Sequence, residues 1–545
     1  MAYTSFKIRE IVDKAISHGW GVPEFQRGFV WKSTQVRDLA ESLWLDYPVG
    51  SLLIWDSTGG SAAVQPKSVI DSKSPTLWLV DGQQRTTALC ILSGRKPYWW
   101  QDGKEWNDLL SKYDVRFDID TRQPPFFLVA NAAHKKTKSK RYLPLTSLFS
   151  FNLESDQDQG KIYQLAKDIK SDGLCDGMDA SEVKTRIERV CRIATRELVG
   201  ITVLHELEDV VEIFARLNSK GTRVKEADIY LGIVAARSPG WVRETFMPFL
   251  DKLGDSGFDL SPNILFTSLT AVGIARVRFK QVEDSFWDTT TIKAAWEKCI
   301  RSWNRIVIFL ELHGILTNVL LPSNAVLVTL SALFDKFPKA DSTATFRWMM
   351  HALRYGRYSS SSSSSLEEDL KDIESSSSDS EAIVKLTARI RAIEPMTKTE
   401  FLRDYSESRF ARLLLYVLIF KRQAMDWEKG SIDRVAFKGN NLLKGFEPQF
   451  HHIFPRKFLE GKVAPEKVEA IANIAIINAD TNIKISNKDP LKYFSDYEIT
   501  EEKRAQQFIV GPVNELTVTQ YENWLDERST ALAEAANVLL GLQGA

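Results

Sequence analysis

His451-His452-Ile453-Phe454-Pro455, followed by Asn473, Asn482 and Lys484, is the stretch on which the reading of this chain turns. Adjacent histidines ahead of a proline, with two asparagines downstream, have the spacing of a compact metal-dependent nuclease site. A strand can aim one imidazole at a divalent cation and its neighbour at a water. A short helix then suffices to return an Asn side chain to the same ion. The other five of the seven histidines are scattered, so the pair is no by-product of a His-rich composition.

Metal-assisted phosphodiester hydrolysis needs a base for water, a cation for the charge on phosphate, and a frame for both. Neutral imidazole suits the base, because its unperturbed pKa lies near physiological pH. On this reading His452 is the general base, while His451 and Asn482 are metal ligands. Asn473 starts a second apolar strand, Asn473–Ile477, and its amide ties the connecting loop to the base-bearing strand. Asn482 opens the return helix, and Lys484 and Lys488 follow closely enough to meet phosphate. Pro455 ends the first strand.

At 545 residues the chain is too long for a single core, and about two to four domains are expected. A hydrophobic content of 44% and a charged content of 26% are the proportions of an ordinary globular protein. Lys plus Arg equals Asp plus Glu at 71 each, so any nucleic-acid surface must be local. Cys90, Cys175, Cys191 and Cys299 are widely spaced with no CxxC pair, which argues against a structural zinc site or a disulfide framework. The N-terminus has no apolar signal region, and the longest apolar run, Leu413–Phe420, is too short to span a bilayer and reads as a buried helix. The expectation is a soluble, cytoplasmic protein.

Short apolar runs predict strands at 51–55, 76–80, 115–119, 126–129 and 201–206. Helical patterns lie between them, at 33–45 with Ser33 as N-cap and at 83–92 closed by Gly94, with two more around 160–170 and 181–197. From 236 to 440 strand signals nearly vanish, and 291–312, 324–337, 343–355 and 410–427 carry helical periodicity. The serine tracts Ser359–Ser365 and Ser375–Ser378 read as flexible loops around a short acidic helix. Val518–Leu542 reads as one amphipathic helix. The expected division is 1–235, 236–440 and 441–545, in a multidomain α+β architecture.

Val80-Asp81-Gly82-Gln83-Gln84-Arg85-Thr86-Thr87 lies where an apolar strand turns into a helix. Free N–H groups of the first helical turn, with Arg85, can hold an anion such as phosphate, and Asp81 a metal or a ribose hydroxyl. The plain alternative is a capped strand–helix junction. Two further loops carry a similar mixture of amide, guanidinium and aromatic groups. One is Val22–Trp31, with Gln26 and Arg27; the other is Phe214–Gly221, with Arg216 and Asn218. Asn131–Arg141 holds five fixed positive charges within seven residues, a candidate for tracking a phosphate backbone or simply a mobile solvated loop.

The trio PxFQRxxxW, DGQQR and FxRLNxxG resembles the N-terminal domain of GmrSD-type modification-dependent restriction enzymes, whose fold is ParB/sulfiredoxin-like. That resemblance implies that Gln26, Arg27, Asp81, Gly82, Gln83, Gln84 and Arg85 line a nucleotide pocket, with Arg216 and Asn218 as phosphate contacts. HHIFP with the later asparagine elements is similar to the ββα-metal (HNH, His-Me finger) nuclease. His451 stands where that family often has an acidic residue. The function so implied is a nucleotide-regulated DNA endonuclease that restricts foreign phage DNA, with an all-helical middle domain between its two ends. Its cofactors are Mg²⁺ or a similar divalent cation and a nucleoside triphosphate. Its partner is double-stranded, modified DNA; no membrane is implied, and a homo-oligomer is compatible. Two alternatives stay open. One is an NTPase-driven antiphage sensor whose HNH domain only nicks or binds DNA; the other is a DNA-binding sensor with a decayed nuclease.

Overall fold

The computed structural model describes residues 2–23, 29–59, 76–100, 106–137, 139–205, 209, 210, 213, 226–238, 240–279, 282–359, 362–430 and 450–542. The chain is mixed α+β and divides into two compact units, Met1–Phe246 and Met247–Ala545. The helical segment that follows the first unit and the histidine segment fall within the same second unit.

Among the described residues the first unit has seven strands: β1 (Ala2–Lys7), β2 (Leu52–Asp56), β3 (Leu77–Asp81), β4 (Val115–Asp118), β5 (Phe127–Val129), β6 (Tyr142–Pro144) and β7 (Glu197–Val203). They form a four-stranded sheet in the order β1-β7-β2-β3 and a three-stranded sheet in the order β5-β4-β6. β7 runs antiparallel to β1 and parallel to β2. Its start lies upstream of the expected 201–206, because Glu197 and Gly200 are poor strand formers taken into the sheet by pairing, Glu197 with β1 and Gly200 with both β1 and β2. Gly200 is required there: a Cβ would stand 2.6 Å from Phe6 Cε2 and 3.1 Å from Ile54 Cδ1.

Helices α1 (Ile8–Ile16), α2 (Ser33–Trp44) and α3 (Gln83–Ser93) share one hydrophobic core with the strands. α1 buries Ile8, Ile11, Val12 and Ala15, a single stripe at helical spacing. α2 buries Val36, Leu39, Ala40, Leu43 and Trp44. Its cap position is Lys32 rather than Ser33, and Lys32 N donates to Gln35 Oε1 at 2.9 Å. α3 is buried along most of its length, as a central helix must be, and ends at Gly94 in the left-handed conformation.

The second unit opens with helices: α4 (Pro262–Ile274), α5 (Thr289–Leu312), α6 (Val326–Lys336), α7 (Ser342–Arg354), α8 (Ser362–Glu374) and α9 (Arg409–Lys421). The serine tract departs from the expected loop, since Ser362–Ser365 form the first turn of α8. Composition loses here to packing. Leu366, Leu370 and Ile373 are buried, and buried Asp369 accepts from Arg357 at 2.5 Å and Tyr358 at 2.7 Å. In the second tract Ser378 caps the helix Asp379–Ala388. The apolar run Leu413–Phe420 lies in α9, which is buried over Leu413–Ile419. The helix stops at Lys421 instead of reaching Trp427, and Gln423 turns the chain at φ +51°. Among the described residues no helix is long and apolar enough to cross a membrane.

The unit closes with β8 (Phe450–His452), β9 (Ile474–Ile476), α10 (Ala479–Ile485) and α11 (Tyr521–Leu540), the last preceded by a 3₁₀ turn at Val518–Gln520. β8 and β9 are antiparallel, with His451 opposite Ala475 and His452 opposite Ile474.

Candidate active site

The histidine segment condenses around β8, β9 and α10. Asn473 is fully buried in the 3₁₀ turn before β9, so the strand itself starts at Ile474. Its Oδ1 accepts from Phe454 N at 2.9 Å, and its Nδ2 donates to Phe454 O at 3.1 Å and Val468 O at 2.9 Å. Its main-chain oxygen accepts from Ile453 N at 2.8 Å. One amide thus ties both ends of the connecting loop to the strand that carries the histidines.

His451 is buried, with Nδ1 2.8 Å from Asn482 Oδ1. Trp427 and Tyr493 wall its ring edge-on at 5.7 and 5.8 Å. Burial holds its pKa down at about 4, against the opposing bond to Asn482, so the imidazole is neutral. Nε2 is buried with no hydrogen-bond partner among the described residues. This pair passes a test for a divalent cation. Two ligand atoms side by side on an octahedral ion, each ~2.1 Å from it, stand ~3 Å apart. Sharing the ion would leave the imidazole proton on Nε2, and an N–H edge suits aromatic walls better than a bare lone pair.

Asn482 lies in the middle of α10 and does not open it. Asn478 is the cap residue, and buried Asp426 fixes this end by accepting from Asn478 N at 2.8 Å and Thr481 Oγ1 at 2.5 Å. Ser486, just beyond α10, adopts φ +53°, a strained backbone for a residue with a side chain.

His452 has a side chain only 13% exposed, and its Nε2 lies 3.2 Å from Glu469 Oε2. Tyr405 packs against the ring at 5.4 Å. Burial pushes the His452 pKa below its ordinary value, with the Glu469 charge opposing, which leaves the ring able to accept a proton. His451, His452, Asn482, Arg456, Ser486 and Asn487 line an open cavity of about 320 Å³, walled by Tyr405 and Phe450.

Lys484 and Lys488 are not among the lining residues. Lys484 pairs with Glu428, and Lys488 lies 5.0 Å over the Tyr497 ring with its Nζ 3.4 Å from the hydroxyl. Among the described residues the cation that lines this cavity is Arg456. Sequence reading missed it, together with Tyr405, Asp426 and Glu469. Only the Arg next to the HHIFP run offered a signal, since the others come from distant segments.

Behind the site Arg528 of α11 is fully buried. Its guanidinium donates to the carbonyls of Ala472, Ile474 (2.8 Å) and Gln507 (2.7 Å), and no carboxylate pairs with it among the described residues. Gln507 in turn brackets Ile476, accepting from its N–H at 3.2 Å and donating to its carbonyl at 2.6 Å. The short strand β9 is thereby held on its outer side by side chains.

In the first unit Asp81 ends β3, Gly82 is the cap residue at φ +99°, and Gln83 starts α3. Only glycine fits at position 82, since a Cβ would stand 2.4 Å from Leu52 Cδ2. Gln83 is buried, and Gln84 Oε1 accepts from Val30 N at 2.9 Å. Arg85 donates to Ser51 O at 2.9 Å, and burial lowers its pKa against the pull of Asp81. Gln26, Arg27, Arg216 and Asn218 lie outside the described residues. The flanks of the first pair are nonetheless anchored at this junction. Gly21 pairs with Trp78 of β3, Val22 N donates to Tyr98 Oη at 2.9 Å, and Trp31 O accepts from Tyr113 at 2.7 Å.

The basic stretch Asn131–Arg141 is in part helical rather than a loop, and its Lys138 lies outside the described residues. Residues Ala132–Lys136 are helical, Lys135 donates to Ser111 O at 2.5 Å, Lys140 pairs with Asp168 at 2.8 Å, and Arg141 pairs with Asp118 at 2.9 Å. Cations already engaged within the protein have less to give to counterion release on a polyanion.

An uncharacterized protein of Methanocaldococcus jannaschii is 23% identical to this chain over 568 residues, spanning 96% of this chain and 92% of the relative. Residues 8–235, which carry the anchored loop, the DGQQR junction and β7, match the family described as the GmrSD restriction endonuclease N-terminal domain.

Proposed function

We propose that this protein is a divalent-metal-dependent DNA endonuclease of the His-Me finger kind, which restricts modified foreign DNA under control of a nucleoside triphosphate. The observation that carries the nuclease reading is the frame around Asn473. A single buried amide braces the loop that follows the two adjacent histidines, with His452 lining the cavity beside the His451–Asn482 pair. The restriction assignment draws on the family match over residues 8–235.

His451 Nδ1 and Asn482 Oδ1 would hold the cation, which when bound supplies positive charge beside the scissile phosphate. His452 accepts the proton of the attacking water, and Arg456 at the cavity wall meets phosphate oxygens. Tyr405 and Phe450 shield one side of the cavity from bulk water.

Plasmid and phage DNAs, unmodified and modified, should be cleaved in Mg²⁺ and left intact in excess chelator. Asn482→Ala should raise the Mg²⁺ concentration needed for half-maximal cleavage by more than the ~10–100-fold typical of losing a mere supporting contact to a metal site. Cleavage that proceeds in chelator, or a variant with an unchanged Mg²⁺ requirement, overturns the metal assignment.

The first unit supplies the nucleotide site in this reading, with Asp81, Gly82, Gln83, Gln84 and Arg85 around the N-terminus of α3. Gln26, Arg27, Arg216 and Asn218 are assigned to it on the family resemblance alone. Arg85→Ala should weaken nucleoside triphosphate binding by ~10–100-fold, the worth of one charge-assisted hydrogen bond at ~1.5–3 kcal/mol. Titration calorimetry against each triphosphate measures this. A melting curve of the variant separates lost binding from loss of the Arg85–Ser51 tether.

A further inference from the structure

We propose that Glu469 is the positioning residue for His452, holding its imidazole in one orientation with the proton on Nε2, so that Nδ1 is the nitrogen left to accept a proton. This inference rests on the nuclease reading for its consequence, though not for its geometry.

Glu469 Oε2 lies 3.2 Å from His452 Nε2 and 2.6 Å from Arg456 Nη2. Arginine has only donors, so Oε2 accepts from it and carries no proton for the imidazole. The imidazole must therefore donate from Nε2, which settles the tautomer. The carboxylate is itself delivered from a fixed backbone. Tyr405 N donates to Glu469 O at 2.9 Å, Ile471 N donates to Arg403 O at 3.0 Å, and Asp404 and Ala470 form an antiparallel bridge between these two segments. The same pairing sets the Tyr405 ring against the other side of His452. One short bridge between segments distant in sequence thus carries both the wall and the anchor of the candidate base.

The chemical consequence is a division of labour within one side chain. Water loses a proton to Nδ1, the hydroxide forms the new bond to phosphorus, and the bond from phosphorus to the leaving oxygen breaks on the opposite side, that oxygen taking its proton from solvent. The second N–H of the imidazolium so formed already rests on Glu469. Arg456 shares that carboxylate, so its guanidinium is held at the cavity edge where phosphate arrives.

The test uses full-length protein labelled with ¹⁵N-histidine, with Glu469→Ala, Glu469→Gln and His452→Ala alongside wild type. His452→Ala identifies the His452 signals. Long-range ¹H–¹⁵N spectra should show His452 as the Nε2–H tautomer in wild type and Glu469→Gln, whose amide oxygen still accepts, and as a tautomer mixture in Glu469→Ala. Single-turnover cleavage at saturating DNA should fall ~10–100-fold in Glu469→Ala, part of the ~10²–10⁴-fold that a positioned base contributes. Glu469→Gln should recover most of that loss. An Nδ1–H tautomer in wild type, or an Ala variant with wild-type tautomer and rate, overturns the proposal. So does equal impairment of Ala and Gln, which would make charge rather than orientation the contribution. The spectra need no activity, so a wild-type protein that cleaves nothing defeats the nuclease reading while the tautomer still decides whether Glu469 orients His452.

Discussion

His452→Ala is expected to lower single-turnover DNA cleavage by ~10²–10⁴-fold, the range in which removal of a positioned general base falls. The fold should survive it. The His452 backbone pairs with Ile474, and that pairing is unaffected by truncation beyond Cβ. The ring touches Tyr405 and Glu469 at the cavity edge instead of filling the core. Triphosphate binding should also be unchanged, since the DGQQR junction belongs to the other unit. Cleavage within ~10-fold of wild type by a variant with a native melting curve removes His452 from the role of base, because even the weakest documented bases contribute more than that.

Arg528→Met should be the most destabilising single change near the site. Arg528 is enclosed on all sides, and burial alone lowers its pKa to about 9 while it donates to three backbone carbonyls. Methionine fills similar volume but leaves the carbonyls of Ala472, Ile474 and Gln507 without donors. Each unsatisfied buried acceptor costs ~1–3 kcal/mol, partly offset because no charge is then buried, for a net loss of about 3–5 kcal/mol. A melting temperature lower by roughly 10 °C is the expected reading. Two of those carbonyls flank Asn473, so cleavage should decline together with stability. A melting temperature within ~2 °C of wild type would mean that the carbonyls find other donors and that α11 does not brace β9 through this residue.

Much of the fold was legible because its elements carry strong local signals. β2 to β5 are short, apolar and bounded by turn residues, and α2, α3 and the long helices of the second unit have clear periodicity or glycine stops. β7 carries Glu197 and Gly200, α8 begins in a serine tract, and α9 stops short of Trp427 where Gln423 turns the chain. In the first two cases a neighbour outside the local sequence window decides. The sheet partners Phe6 and Ile54 recruit β7, and the buried Asp369–Arg357 pair anchors α8.

At the candidate site the juxtaposition of His451, His452, Asn473 and Asn482 was readable from spacing, because a strand, a loop and a helix leave few ways to bring them together. Side-chain type cannot say who supports them. Asp426 caps α10 across 55 residues of chain, and Tyr405 and Glu469 face His452 from two segments joined by a backbone bridge. Arg528 reaches Ala472 from the C-terminal helix. The sequence by itself determined which groups could accept a proton, hold an ion or turn the chain, since those are properties of the residue and its near neighbours. Only the tertiary structure decided that Lys484 faces Glu428, that Arg456 reaches the cavity, and which nitrogen of His452 is left free. Those outcomes depend on long-range packing, which sets burial and pairing.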